Sequence, residues 1–116
     1  MAVATVIDAL TNVRTVAFTH SAAVVVGEII VGNGNVMVAV NAKALNVENA
    51  YVVEGKINAP KEASLAAEVM DAVYWDSGNS KVTKTAAGNK ALGHCAKKAA
   101  GADTTIDVYM RQYVKV

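Results

Sequence analysis

The sequence predicts a single all-β domain of sandwich or jelly-roll type, with a short helical or extended segment at its N-terminus. Three observations predict it. Apolar and polar residues alternate with period two over much of the chain. The branched residues are mostly valine, which favours the pleated conformation. Clusters rich in Gly, Asn and Ser recur between the apolar runs, where tight turns need them.

At the N-terminus, Val3, Val6, Ile7, Leu10 and Val13 recur at helical spacing, yet Val and Ile equally favour strands. Residues 1–11 are therefore a short helix or an extended arm, and residues 12–116 form the body of the domain. Val24 to Val26 and Ile29 to Val31 read as buried strand material, and Val36, Val38 and Val40 form one face of the next strand. Gly32-Asn33-Gly34-Asn35 between them supplies the positive φ angles of a hairpin turn. Tyr51, Val53 and Ile57 alternate with Glu54, Lys56 and Asn58. Lys61 to Met70, after the only proline, Pro60, is rich in Ala, Glu and Leu and suits a short helix.

Beyond it, Asp76-Ser77-Gly78-Asn79-Ser80 separates Val73-Tyr74-Trp75 from Lys81-Val82-Thr83 as a second hairpin. Gly88-Asn89 and Ala99 to Asp103 mark two further turns. The clearest strand is the last. Ile106, Val108, Met110, Val114 and Val116 point one way, and Asp107, Tyr109, Arg111, Tyr113 and Lys115 the other.

Composition narrows the function classes. The chain has 116 residues, 53% of them apolar, but the apolar fraction is largely Ala and Val, which makes a thin core. Self-association or a partner is expected to supply part of the stability. A net charge of +1 gives no reason to expect nucleic acid or an anionic membrane as partner. The charge is uneven: residues 1–80 carry four basic and eight acidic groups, residues 81–116 seven and two. That split is either the chance composition of wet strand faces or a means for copies to meet with opposite halves facing. The single cysteine, Cys95, excludes an intrachain disulfide and suits a reducing compartment. With no basic leader at Met1 to Thr5 and no apolar run long enough for a bilayer, the expectation is a soluble protein made in the cytoplasm.

No catalytic or metal constellation can be assembled, and no cofactor is expected. His20, His94 and Cys95 are three soft ligands, but His94 and Cys95 are adjacent and face opposite ways in a strand. Asp71 and Asp76 flank the Trp75 strand on opposite faces and cannot cooperate as acid and base. Tyr74 and Trp75, being consecutive, cannot share one stacking surface, so Trp75 is expected in the core. Gly32-Asn33-Gly34 leads into a strand and lacks the Lys-Ser/Thr sequel of a phosphate loop.

The series Val73-Tyr74-Trp75-Asp76, Gly78, Lys81-Val82-Thr83, Gly88-Asn89, Gly93 and Ala99 to Thr105 resembles the C-terminal half of the capsid cement (head decoration) proteins of tailed bacteriophages. Val25 to Ile30 and Tyr51 to Pro60 are similar to that family's earlier strands, so the resemblance spans roughly residues 12–114. Ala102, the extension Met1 to Thr11 and the Gly-poor stretch 61–70 depart from the pattern. The resemblance implies a structural virion protein and no enzyme. It implies an oligomer on the outer capsid surface, bridging neighbouring major capsid proteins. A dimer is expected before a trimer, because two-fold closure is the commonest solution. A small β-barrel binding oligosaccharide or nucleic acid is the alternative, with Tyr109 and Tyr113 as its support. The chain ends look surplus to a compact core. The partner-interface residues are therefore expected to be Val3, Val6, Ile7 and Leu10 in one stripe, and Tyr109, Arg111 and Tyr113 on the last strand.

Overall fold

The computed structural model describes residues 3–7 and 14–110. Among them there is no helix, and nine strands follow in chain order: β1 Thr5–Val6, β2 Arg14–Thr19, β3 Ile29–Gly32, β4 Asn35–Ala39, β5 Glu48–Pro60, β6 Ala72–Asp76, β7 Lys81–Thr83, β8 Lys90–Cys95 and β9 Thr105–Met110. All named pairings are antiparallel, and the sheet runs β3-β4-β5-β9-β8-β6-β7, with β1 and β2 also on β5. It curls into a half-barrel, so the all-β expectation holds. One contact tightens the curl. Lys61, just past β5, makes a parallel bridge to Val82 of β7, so the order β5-β9-β8-β6-β7 returns on itself at that end.

Both hairpins have the predicted turns. Asn33 (φ 50°) and Gly34 (φ 81°) occupy the left-handed region between the paired Gly32 and Asn35. In the second, the Asp76 carboxylate accepts from the backbone N–H of Gly78 (3.0 Å) and Asn79 (3.2 Å) and from Asn79 Nδ2 (2.8 Å). These bonds, led by those from Asn79, hold the Asp76 carboxyl below its ordinary value of 3.8. Their support of the turn is thus present above that value and is lost as acid protonates the group.

The strand β5 has core on both faces. Val52 and Ile57 lie in the main core with Val36, Val38, Trp75, Val82, Leu92, Ile106, Val108 and Met110. Tyr51 and Val53 point the other way, into a smaller core with Val24, Ile30, Met37, Ala39 and Phe18. Strict alternation would keep Tyr51, Val53 and Ile57 on one face, as the sequence reading has it. The face changes between Val53 and Ile57, beside the register irregularity opposite Arg14 and Thr15 and at Gly55 (φ 146°).

Two other segments differ from the sequence reading. Lys61 to Met70 is not a helix: its amides bond to segments remote in sequence, Glu62 N to Val82 O of β7 (2.9 Å) and Ala67 N to Ala99 O between β8 and β9 (3.0 Å), and Ser64 and Met70 have positive φ. Of Val24 to Val26 only Val24 is buried, bridged to Lys43; Val25 and Val26 are exposed where the chain turns into Gly27. Over residues 3–7, the described part of the N-terminal segment, the chain is extended. Val3 bridges Glu28, Thr5 and Val6 pair with Asn58 and Ile57, Ala4 is buried, and Val6 packs on the core.

Lys61 is only 2% exposed, and its Nζ reaches two backbone carbonyls, of Glu62 and Gly101, each at 3.4 Å. No described ion pair involves it. A buried ammonium with long bonds to neutral acceptors gives less than its desolvation costs. Lys61→Met, which keeps the aliphatic stem, is expected to hold or raise stability by roughly 1 kcal/mol, whereas Lys61→Ala costs about 2 kcal/mol through the cavity. Urea denaturation midpoints check both, and a large loss for the Met variant would show that the charge itself stabilises the fold.

Candidate functional site: a cross-strand row on the outward sheet face

Because Ile57, Val73, Cys95 and Val108 are core residues, their neighbours in each strand face outward. Register then fixes which of these stand side by side. Ile7 N donates to Lys56 O at 2.9 Å, Lys56 pairs with Tyr109, Tyr109 with His94, and His94 with Ala72. The row Ile7–Lys56–Tyr109–His94–Ala72 thus runs from the residue after β1 across β5, β9, β8 and β6. Ile7 is 44% and Tyr109 45% exposed. Lys56 Nζ lies 5.9 Å from the Tyr109 ring centroid, a cation–π distance that steadies the ring on the face. The neighbouring row is polar and tied down: Asn58 Nδ2 donates to Asp107 Oδ1 (2.8 Å) and Thr105 Oγ1 (3.2 Å), with Thr5 paired to Asn58.

The structure brings together two of the sequence-selected residues from opposite ends of the chain, Ile7 and Tyr109. Val3 is exposed near Glu28, outside the row. Val6 points inward, so no single stripe joins Val3, Val6 and Ile7. Leu10, Arg111 and Tyr113 lie outside the described residues. Sequence reasoning missed Lys56 and His94, because only strand register places them beside Tyr109. It also missed the exposed tip Val69–Met70, where Met70 takes a positive φ (74°) in the turn closed by Asp71 N on Glu68 O (3.1 Å).

The titratable groups have structural partners. Asp71 is held below its ordinary value by the Glu68 backbone N–H and by Lys84, whose Nζ is 3.1 Å away. Burial pushes the Cys95 thiol above its ordinary 9.0, and its Sγ donates to Lys97 O at 2.9 Å. That thiol stays protonated in the fold, so its contribution is present below the ordinary value and declines as pH rises past it. Trp75 is buried and Tyr74 half-buried on the opposite face of β6. Among the described residues no three His, Cys, Asp or Glu side chains gather as metal ligands. The charge imbalance along the chain is partly cancelled within one copy: Lys84–Asp71 (3.1 Å) and Lys98–Glu68 (3.4 Å) join the basic segment to the acidic one.

A face of this kind suits adhesion to another protein: exposed aromatic and aliphatic side chains, one cation stacked on a ring, and a bonded polar margin. A family model described as phage cement protein matches residues 10–110. No curated protein and no solved structure matches the chain.

Proposed function

This chain belongs to the phage cement protein family, a structural component of the virion capsid, and from that premise we propose that it binds the outer surface of the phage head and bridges neighbouring major capsid proteins. The observation that carries the reading is the row Ile7–Lys56–Tyr109–His94 on the outward face. The role is structural and needs no reactive group. What it needs is area, complementarity and many copies. Contacts of modest strength, repeated over a symmetric shell, gain by multivalency, and binding only the assembled shell stabilises that shell by mass action. The protein also self-associates, a dimer being favoured over a trimer.

The test is the pair of substitutions Ile7→Ser and Tyr109→Ala, made together. Both side chains are exposed, so the fold is expected to survive. Decoration of purified heads, measured as bound copies against free protein, is expected to weaken roughly tenfold or more, the loss typical of a truncated interface anchor. A double variant that folds and decorates like the intact chain would rule this face out as the grip.

A further inference from the structure

The strand β2, Arg14–Thr19, is unusual among the strands of this fold. Its described pairing is with β5 alone, and it shows solvent most of its side chains, Phe18 alone being half-buried. Natural proteins guard such an edge with lysine, proline or a bulge. From Thr15 to Thr19 this edge has none of them, its one irregularity lying at the Arg14/Thr15 end. The run Thr15-Val16-Ala17-Phe18-Thr19 is also symmetric about Ala17, with threonine at both ends and a bulky apolar residue on each side of the small centre. A strand of that kind is complementary to its own antiparallel copy.

We propose that two copies of the chain pair through β2 about a two-fold axis at Ala17, joining their sheets edge to edge. The register is set by the faces. Val16 pairs with Tyr51 and so lies on the side of the smaller core, where the Phe18 and Tyr51 rings meet edge-on at 5.9 Å. With Ala17 opposite Ala17 of the second copy, Val16 of each copy stands opposite Phe18 of the other on that same side. The two small outer cores then run into one another, and the exposed Val16 is covered. No charge is trapped: the only charged residue of the strand, Arg14, sits at its end and is held by Glu54 of its own chain at 4.0 Å. Strand pairing of this length falls short of the ~1,200 Å² of a stable interface. Further apolar area is at hand, because the loop bearing exposed Leu45 and Val47 lies beside the end of β2, with Asn46 N bonded to His20 O at 2.8 Å.

This pairing deepens the self-association reading and is independent of how the capsid is gripped, so it is tested without capsids. Ala17→Cys is expected to cross-link into a covalent dimer under mild oxidation, since facing residues bring their Cβ atoms to about 5 Å. Cys95, the one native thiol, is buried. Thr19→Cys is the control: in this register the two copies of residue 19 are about 13 Å apart and cannot be bridged. Ala17→Lys, which sets two ammonium groups face to face at an exposed position, is expected to weaken the dimer at least tenfold by sedimentation while leaving the circular dichroism spectrum unchanged. An intact chain that stays monomeric at about 100 µM overturns the proposal. So does a dimer in which Thr19→Cys links as readily as Ala17→Cys. An Ala17→Lys variant that keeps its dimer but loses decoration of heads also overturns it, and would assign this edge to a capsid strand.

Discussion

Gly93→Ala is expected to cost about 4 kcal/mol of stability, enough to leave a domain of this size largely unfolded at moderate temperature. Gly93 lies in β8 where the strand bulges: Val73 pairs with Gly93 but Tyr74 with Ala91, leaving Leu92 as the extra residue. That bulge lets Leu92 and Cys95, three positions apart, both reach the core. It also drives the backbone of residue 93 against β9. A Cβ there would overlap the carbonyl oxygen of Tyr109, with Tyr109 C at 2.8 Å and Met110 Cα at 3.1 Å. All three are backbone atoms of a strand held between β5 and β8, so no rotamer change relieves the overlap. Relief requires β8 and β9 to part, and their ladder, including Cys95 with Val108, is lost with it. Guanidinium denaturation of the variant measures the loss. A change below 1 kcal/mol would mean that the two strands are not packed as described.

Removal of residues 1–11 is expected to destabilise the domain by about 3 kcal/mol, and not merely to weaken attachment. Ala4 is part of the main core, and its N–H donates to Gly27 O at 2.7 Å. Thr5, Val6 and Ile7 run along β5 from Asn58 to Lys56, so deletion uncovers the edge beside Ile57, which is otherwise fully buried. Thermal unfolding of the truncated chain checks this. An unchanged midpoint would make the arm an appendage after all.

The strands were legible wherever one face was wet. β9 reads directly, because Ile106, Val108 and Met110 are buried while Asp107 and Tyr109 look outward. The turns were legible for a chemical reason, since Asn33-Gly34 takes a conformation that few other residues accept. The arm was harder. Val3, Val6 and Ile7 fit a helical spacing, whereas the residues that face the core are Ala4 and Val6, and an alanine carries almost no periodic signal. Lys61 to Met70 has helix-favouring residues, but propensity is outweighed there by bonds to β7 and to Ala99, partners remote in sequence. The candidate site was half visible for the same reason. Ile7 and Tyr109 each stood out as apolar and outward, but their meeting across Lys56 depends on the register of β5 with both β1 and β9.

The position of β5 also governs the order in which the molecule can form. One strand serves β1, β2, β4 and β9, so neither half of the sheet has a complete hydrogen-bonding neighbourhood without it. Nor is β5 enough, because β9 lies between β5 and β8 and is the last of the described strands to leave the ribosome. Pairings this distant along the chain close large loops before any packing rewards them, which places folding in the millisecond-to-second range typical of non-local β topologies. Since translation delivers only about 5–20 residues per second, the earlier strands wait, incompletely paired, for β9 to emerge. The fold is therefore completed only once β9 is available, as one cooperative event, and no chain that lacks β9 presents the finished outward face to a capsid.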